Sequence, residues 1–457
     1  MDSEKDSEKE LQPWERCVIN ITLRKSKTKE EMVQRRTAFF KEMKRQTTGK
    51  SLLDTKMDEM LEAISSKITK NRIEGVRGIR ELLSEDSASI DLVIKRGIVP
   101  IMIHFLNHGS DPELQLEATS VLSEIAFGNI WQTGCIIEHG AIPKLIALLQ
   151  SRKPKIAAQP SDVTIPPDTA TPRLPLLRQL VKLLMSLCRS KNPPPRTVEM
   201  NRLLPVLRQL LSNSDVEVVS DTCWAIFHLS DDSSFKIQAV IEANAVGLLV
   251  NLLEKQEDSI LIPALRCVGN IAASTDDHTD VVLLNDVLPK LVRLLQHPNS
   301  NIVREAAWTV SNIAAGNNIQ LEALLQARIY PEIKKVLETG HFRAQREAIW
   351  AVANAIVSGT SQQTVTLVKD NNLLPPFLNH LNATDASPNN VILVGLEHLL
   401  SAADEHGMLH TFCQTIEEMD GLQKLEDLQY NDNADVSAKA TKILDKYFNH
   451  HDIEEPQ

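Results

Sequence analysis

Residues 306–316, AAWTVSNIAAG, and residues 348–359, AIWAVANAIVSG, decide the fold. Trp308 and Asn312 are four residues apart, which on a helix places them on one face. Trp350 and Asn354 stand in the same relation 42 residues later. A large aromatic and an amide aligned between alanines, and repeated at a fixed interval, describe a structural unit that recurs.

The interval extends in both directions. The segments GIVPIMIHFL, GAIPKLIALL, RLLPVLRQLL, NAVGLLVNLL, DVLPKLVRLL, RIYPEIKKVL and NLLPPFLNHL are variants of one pattern. Their fourth residues are Pro100, Pro143, Pro205, Gly247, Pro289, Pro331 and Pro375, separated by 43, 62, 42, 42, 42 and 44 residues. Proline suits the first turn of a helix, where its missing N–H has no helical partner to lose. The apolar spacing that follows is that of an amphipathic helix. A polar turn such as SNSDVEVV or HPNSNIV comes next, then an alanine-rich helix, then a short third one. Three helices in a period near 42 predict an all-α chain: a right-handed α-solenoid of armadillo repeats. Such units cannot bury their apolar faces alone. Stacked, they share a continuous core and form a long concave surface.

The interval of 62 falls about twenty residues short of two periods, so one complete unit is expected to be lost or replaced there. Residues 151–175, SRKPKIAAQPSDVTIPPDTATPRLP, are rich in proline and lack helical periodicity, which predicts a linker. The expected organisation is a flexible basic arm at 1–50, N-terminal repeats at 51–150, the linker at 151–175, C-terminal repeats at 176–448 and an acidic tail at 449–457.

Composition agrees with an aliphatic helical array. The chain has 457 residues, 42% of them hydrophobic but only 4% aromatic, enough for a large core built from Leu, Ile, Val and Ala. Six scattered cysteines form no CxxC pair. That argues against a zinc site or a disulfide framework and for reduced thiols in the cytosol or nucleus. The N-terminus has no apolar run that would serve as a secretory signal. No stretch reaches the roughly 20 apolar residues that membrane insertion requires. No P-loop, GxGxxG, GxSxG or HExxH motif occurs, so neither a cofactor nor an enzyme is expected.

The net charge of −11 conceals an asymmetry. Residues 16–50 carry eleven Lys/Arg against three Glu, and residues 1–15 carry two Lys against six acids. By difference, residues 51–457 carry −15. Such an arm either binds another acidic surface or folds back on its own body. Nucleic acid is a third partner class for it, but the acidic body repels phosphates, and no nucleic acid is expected.

On the alanine-rich helices, the positions equivalent to Trp308 are Ser120, Lys182, Trp224, Arg266, Trp350 and Val394. Those equivalent to Asn312 are Glu124, Ser186, His228, Asn270, Asn354 and His398. Asparagine amides both donate and accept, so a row of them can hold a peptide backbone without reading its side chains. Parallel indoles make slots for Lys or Arg stems, with a cation–π attraction of about 0.5–2 kcal/mol per contact. Glu305 and Glu347, three residues before each tryptophan, stand where they would receive cationic heads. The expected ligand is a short basic peptide held mainly by the C-terminal half. Lys182 puts a positive charge where such a ligand would sit in the N-terminal half.

These residues carry a family resemblance. From about Val93 to Phe448 the chain resembles importin alpha, the adaptor that carries cargo bearing a nuclear localisation signal to importin beta. The stretches SLCRSKNPPP, VEVVSDTCWAIFHLSDD, PALRCVGNIAAST, NIVREAAWTVSNIAAG and QREAIWAVANAIVSG are similar in content and order. The family's groove has a major peptide site in its N-terminal repeats and a minor site in its C-terminal repeats. The resemblance implies that Trp308, Asn312, Trp350 and Asn354 match the minor-site array. It further implies that Glu305, Glu347, Asn270, Asp276 and Thr279 contribute, with Trp224 and Arg266 continuing the row. The major-site positions have lost their indoles.

Residues 21–40, ITLRKSKTKEEMVQRRTAFF, are similar to the second half of the importin-beta-binding segment. Arg24, Lys25, Lys27, Lys29, Arg35 and Arg36 are the implied contacts. The upstream arginine cluster is reduced to Arg16, and the usual Lys-Arg-Arg reads Gln34-Arg35-Arg36. Family membership also implies shuttling between cytoplasm and nucleus, with an export receptor for recycling. The rival expectation is an armadillo scaffold, or a competitor that binds partners without delivering cargo.

Overall fold

Each repeat is assembled from helices with explicit stop and start signals. The long helix Ser300–Ala314 begins at Asn299, whose side chain accepts from the Asn301 N–H at 2.9 Å. Asp111 and Asp215 open the helices Pro112–Phe127 and Val216–Ser230 in the same way. Each cap satisfies an N–H that the first turn leaves without a helical partner. The short helices Ile130–Glu138, Asn318–Gln326 and Ser361–Asp370 open with reciprocal capping boxes, Asn129/Gln132, Asn317/Gln320 and Thr360/Gln363.

A left-handed residue then turns the chain into the next proline helix. Gly97, Gly140, Asn244, Asp286, Arg328 and Asn372 all have φ between 48° and 78°. Each stands three residues before the corresponding position of the proline pattern. The residue after each of three of them, Ala245, Ile329 and Leu373, donates its N–H back to Val240, Leu324 and Val368. This is the Schellman closure that favours Gly or Asn. The period of the sequence is thus also a period of turn chemistry.

The computed structural model describes residues 52–85, 89–107, 109–151, 173–189, 197–231, 233–381 and 386–448. The expectations for the arm at 1–50 lie outside these residues, with its contacts Arg24, Lys25, Lys27, Lys29, Arg35 and Arg36. So do most of the linker and the acidic tail at 449–457. Among the described residues every regular element is a helix. The molecule divides into two compact units, one ending at Leu248 and the other beginning at Leu249. In the first, the long helices Thr69–Glu85, Pro112–Phe127, Arg173–Cys188 and Val216–Ser230 stack in chain order. In the second, Asp258–Ala272, Ser300–Ala314, Phe342–Ser358, Ala386–Glu405 and Ala434–Tyr447 do the same.

The stack forms because one face of each long helix is aliphatic and small. On Ser300–Ala314, Ala306, Ala307, Val310, Ile313 and Ala314 are fully buried. Alanine lets neighbouring helices approach closely, and the larger residues fill the seams. No helix among the described residues is long and apolar enough to cross a membrane.

The packing bears on the 62-residue interval, on the linker borders and on Pro205. The helix Arg173–Cys188 packs directly between Pro112–Phe127 and Val216–Ser230 and also touches Ala141–Ser151. The repeats on either side of the interval are thus in direct contact, as they would be once a unit between them was lost. Both borders of the expected linker move inward, since Ser151 ends one helix and Arg173 starts the next. Pro205, moreover, does not lie in the first turn of its helix. That helix starts at Thr197 and carries the proline inside it. Among the described residues no separate short helix precedes it, and the extra turns on Thr197–Leu210 stand in that place.

Candidate functional site

Trp308 and Asn312 occupy one half-buried stripe of Ser300–Ala314, and Trp350 and Asn354 the equivalent stripe of Phe342–Ser358. A small residue on the preceding repeat creates the seat for the first indole. A Cβ built on Gly269 would lie 2.2 Å from Trp308 Cζ3. The ring therefore rests on the bare backbone of Asp258–Ala272.

The asparagines act between repeats. Asn312 Nδ2 donates to the Gly269 carbonyl at 3.0 Å, and Asn354 Nδ2 donates to the Ser311 carbonyl at 2.8 Å. Each acceptor is the residue before the Asn-equivalent position of the preceding repeat. A carbonyl has two lone pairs. Gly269 O accordingly serves the helical N–H of Ala273 at 2.9 Å as well. One amide hydrogen of each asparagine thus ties the stack together, leaving Oδ1 and the second hydrogen for other partners. Asn270, in the same row, is 9% exposed.

The acids behave differently from one another. Glu347 is half-buried one turn before Trp350. Glu305 is only 5% exposed, and its carboxylate is already engaged. Arg266 donates to its Oε1 through Nε at 3.1 Å and Nη2 at 2.9 Å, and Arg304 donates to the same oxygen. The Glu305 carboxylate thus fixes Arg266, at the tryptophan-equivalent position of the preceding repeat. Asp276 is half-buried and accepts from Asn317 Nδ2 at 3.2 Å, linking successive short helices. Thr279 is 2% exposed. Its hydroxyl lies 3.1 Å from the carbonyls of both Ala272 and Thr275. Thr133 and Thr364 place their hydroxyls against Ala126 O and Ile356 O in the same manner. Thr279 is thus a joint of the repeat.

Trp224 lies in the N-terminal unit within an aromatic cluster. Phe227 meets it edge-on at 5.5 Å between ring centroids, and His228, in the Asn-equivalent place, stacks on it at 6.1 Å. One turn before Trp224 is Asp221, a residue that sequence reading passed over although it repeats the three-residue offset of Glu305 and Glu347. Burial pushes its carboxyl up to about 6, against the pull of Lys182 and with a further push from Glu217. Gly269 was also missed. No periodic signal marks it, because its role depends on the ring of the next repeat.

Comparison with known proteins assigns the chain. A family model described as an armadillo/beta-catenin-like repeat matches residues 193–231, 236–273 and 275–315, and one described as an atypical Arm repeat matches 410–457. Importin subunit alpha-3 of Arabidopsis thaliana is 35% identical over 472 aligned residues, covering 95% of this chain and 89% of its own length. Importin subunit alpha-B of Dictyostelium discoideum is 39% identical, covering 94% of this chain and 89% of its own length. The chain belongs to the importin alpha family. Among solved structures, an engineered protein aligns over 85% of this chain and 98% of its own, with a TM-score of 0.68 at 20% identity, a likeness of fold. Within this importin alpha chain the Trp/Asn ladder is complete only at 308/312 and 350/354. Its N-terminal positions carry Ser120/Glu124 and Lys182/Ser186.

Proposed function

We propose that this chain is a nuclear import adaptor that holds the basic nuclear localisation signal of a cargo protein along the ladder of its C-terminal unit. The observation that carries this reading is the pair of equivalent stripes, Trp308/Asn312 and Trp350/Asn354, each with its amide anchored to the preceding repeat. An anchored amide keeps its remaining donor and acceptor in fixed positions, which lowers the ordering cost of binding an extended backbone. The indoles then accept Lys or Arg stems, and Glu347 attracts the cationic heads. The basic segment 16–50 joins the adaptor to importin beta through Arg24, Lys25, Lys27, Lys29, Arg35 and Arg36. The chain shuttles between cytoplasm and nucleus, and an export receptor returns it. A second reading, a scaffold or competitor that delivers no cargo, draws support from the missing indoles at 120 and 182.

Fluorescence anisotropy at fixed salt tests the proposal with two labelled peptides, a bipartite signal and its single cluster that fits the C-terminal unit. The adaptor reading expects both to bind, the bipartite one no more than about threefold tighter, because its second cluster gains little avidity in the N-terminal unit. Failure of both to bind would hand the chain to the scaffold reading.

A further inference from the structure

The N-terminal unit carries cations of its own where the ladder has lost its indoles. Lys182 stands at a tryptophan-equivalent position on Arg173–Cys188. Its Nζ lies 5.3 Å from the centroid of the Phe127 ring, which belongs to the preceding repeat. Arg189, two turns further on, places its Cζ 5.4 Å from the same centroid. Arg189 is held there by its Nη2, which donates to the carbonyls of Ala126 at 3.3 Å and Phe127 at 3.4 Å. On its other side Lys182 is electrostatically coupled to Asp221 of the following repeat. An aromatic ring and a carboxylate are the surroundings that a peptide lysine would find between two ladder positions. Here a side chain of the protein has them.

The same substitution recurs elsewhere in the array. Arg77, one repeat before Ser120, bonds Glu117 at 3.2 Å, and Arg266 bonds Glu305 at 2.9 Å. In each case a cation at a tryptophan-equivalent place meets the acid three residues before the next such place.

We infer that Lys182 and Arg189 are specificity-determining residues: resident cations that fill the Phe127 slot and exclude basic peptides from the N-terminal unit. This inference rests on the reading of the ladder as a cationic-peptide site. Phe127 remains 47% exposed, so the ring is at the surface and accessible once the cations are gone. An incoming lysine must now displace a tethered ammonium and also meet its charge. Both terms oppose binding, and the second is screened by salt.

The test uses the full chain with Trp350→Ala, which removes the C-terminal slot, and labelled octalysine as the probe. Adding Lys182→Met and Arg189→Gln keeps the apolar stems and removes both charges. The expected result is an affinity at least tenfold above that of the Trp350→Ala parent. A matched control, Lys67→Met with Lys70→Met, removes two exposed charges of the same unit away from the slot and is expected to change affinity by less than threefold. Equal affinity of slot variant and parent, or an equal gain in the control, overturns the inference. The outcome is independent of whether the wild-type chain loses affinity on Trp350→Ala, which reads the C-terminal site alone. As a check of folding and placement, Lys182→Met also raises the pH at which the Asp221 carboxyl titrates. An unmoved titration in a folded variant would place Lys182 away from the slot and overturn the inference as well.

Discussion

A methyl group at position 269 would enter the Trp308 ring. In an exposed helix Gly→Ala stabilises by about 1 kcal/mol, so the sign of the Gly269→Ala effect decides whether the seat is real. Overpacking costs about 1–3 kcal/mol. The variant is expected to unfold at lower denaturant and to bind basic peptide more weakly, as the indole is pushed off its seat. Tyr330 gives the opposite case. Its hydroxyl is buried without a hydrogen-bond partner. Tyr330→Phe removes an unsatisfied group and is expected to stabilise by about 1 kcal/mol in urea denaturation. Asp221 supplies a pH dependence. Burial raises its folded-state carboxyl to about 6, so the proton it retains favours folding at low pH, and that contribution is lost as pH rises through about 6. Asp221→Asn is therefore expected to stabilise the chain near pH 7.5 and to have little effect near pH 4. A gain that is the same at both pH values would show that the carboxyl is not desolvated.

At the scale of the element, the long helices and the left-handed turns explain how much was legible. Trp308/Asn312 and Trp350/Asn354 were readable because an aromatic and an amide on an alanine face stand out and recur at 42 residues. The proline pattern located most of the proline helices for the same reason. Pro205 misled, since a proline can be retained inside a helix when the preceding turns are extended, and only the packing shows that they are. The double engagement of Glu305 was not readable either. Arg266 lies 39 residues away in sequence and reaches the carboxylate only because the helices stack. Arg328 tests the turn chemistry. It occupies the left-handed position that Gly, Asn or Asp fills in the neighbouring repeats, with φ 53°. Arg328→Asn is expected to stabilise the chain by about 0.5 kcal/mol, because asparagine visits this region at lower cost. An unchanged urea midpoint would count against strain at this turn.

At the scale of the molecule, a repeat array lets a ligand site drift in one part while another part keeps its form, since each repeat contacts only its neighbours. The N-terminal unit keeps an indole only at Trp224 and carries Arg77, Ser120 and Lys182 at the other equivalent positions, with the same stacking of long helices. The 62-residue interval belongs to this scale. Loss of a unit leaves the flanking repeats free to stack on each other, as Pro112–Phe127 and Arg173–Cys188 do. The central claim is that the C-terminal ladder, and not the N-terminal one, holds a basic peptide. The most direct measurement is an anisotropy titration of one labelled nuclear-localisation peptide against the full chain and its Trp350→Ala, Trp308→Ala and Trp224→Ala variants. Losses of at least tenfold, about 1.4 kcal/mol, are expected for the first two, with a smaller loss for Trp224→Ala. Affinity unchanged by Trp350→Ala and Trp308→Ala would contradict the account.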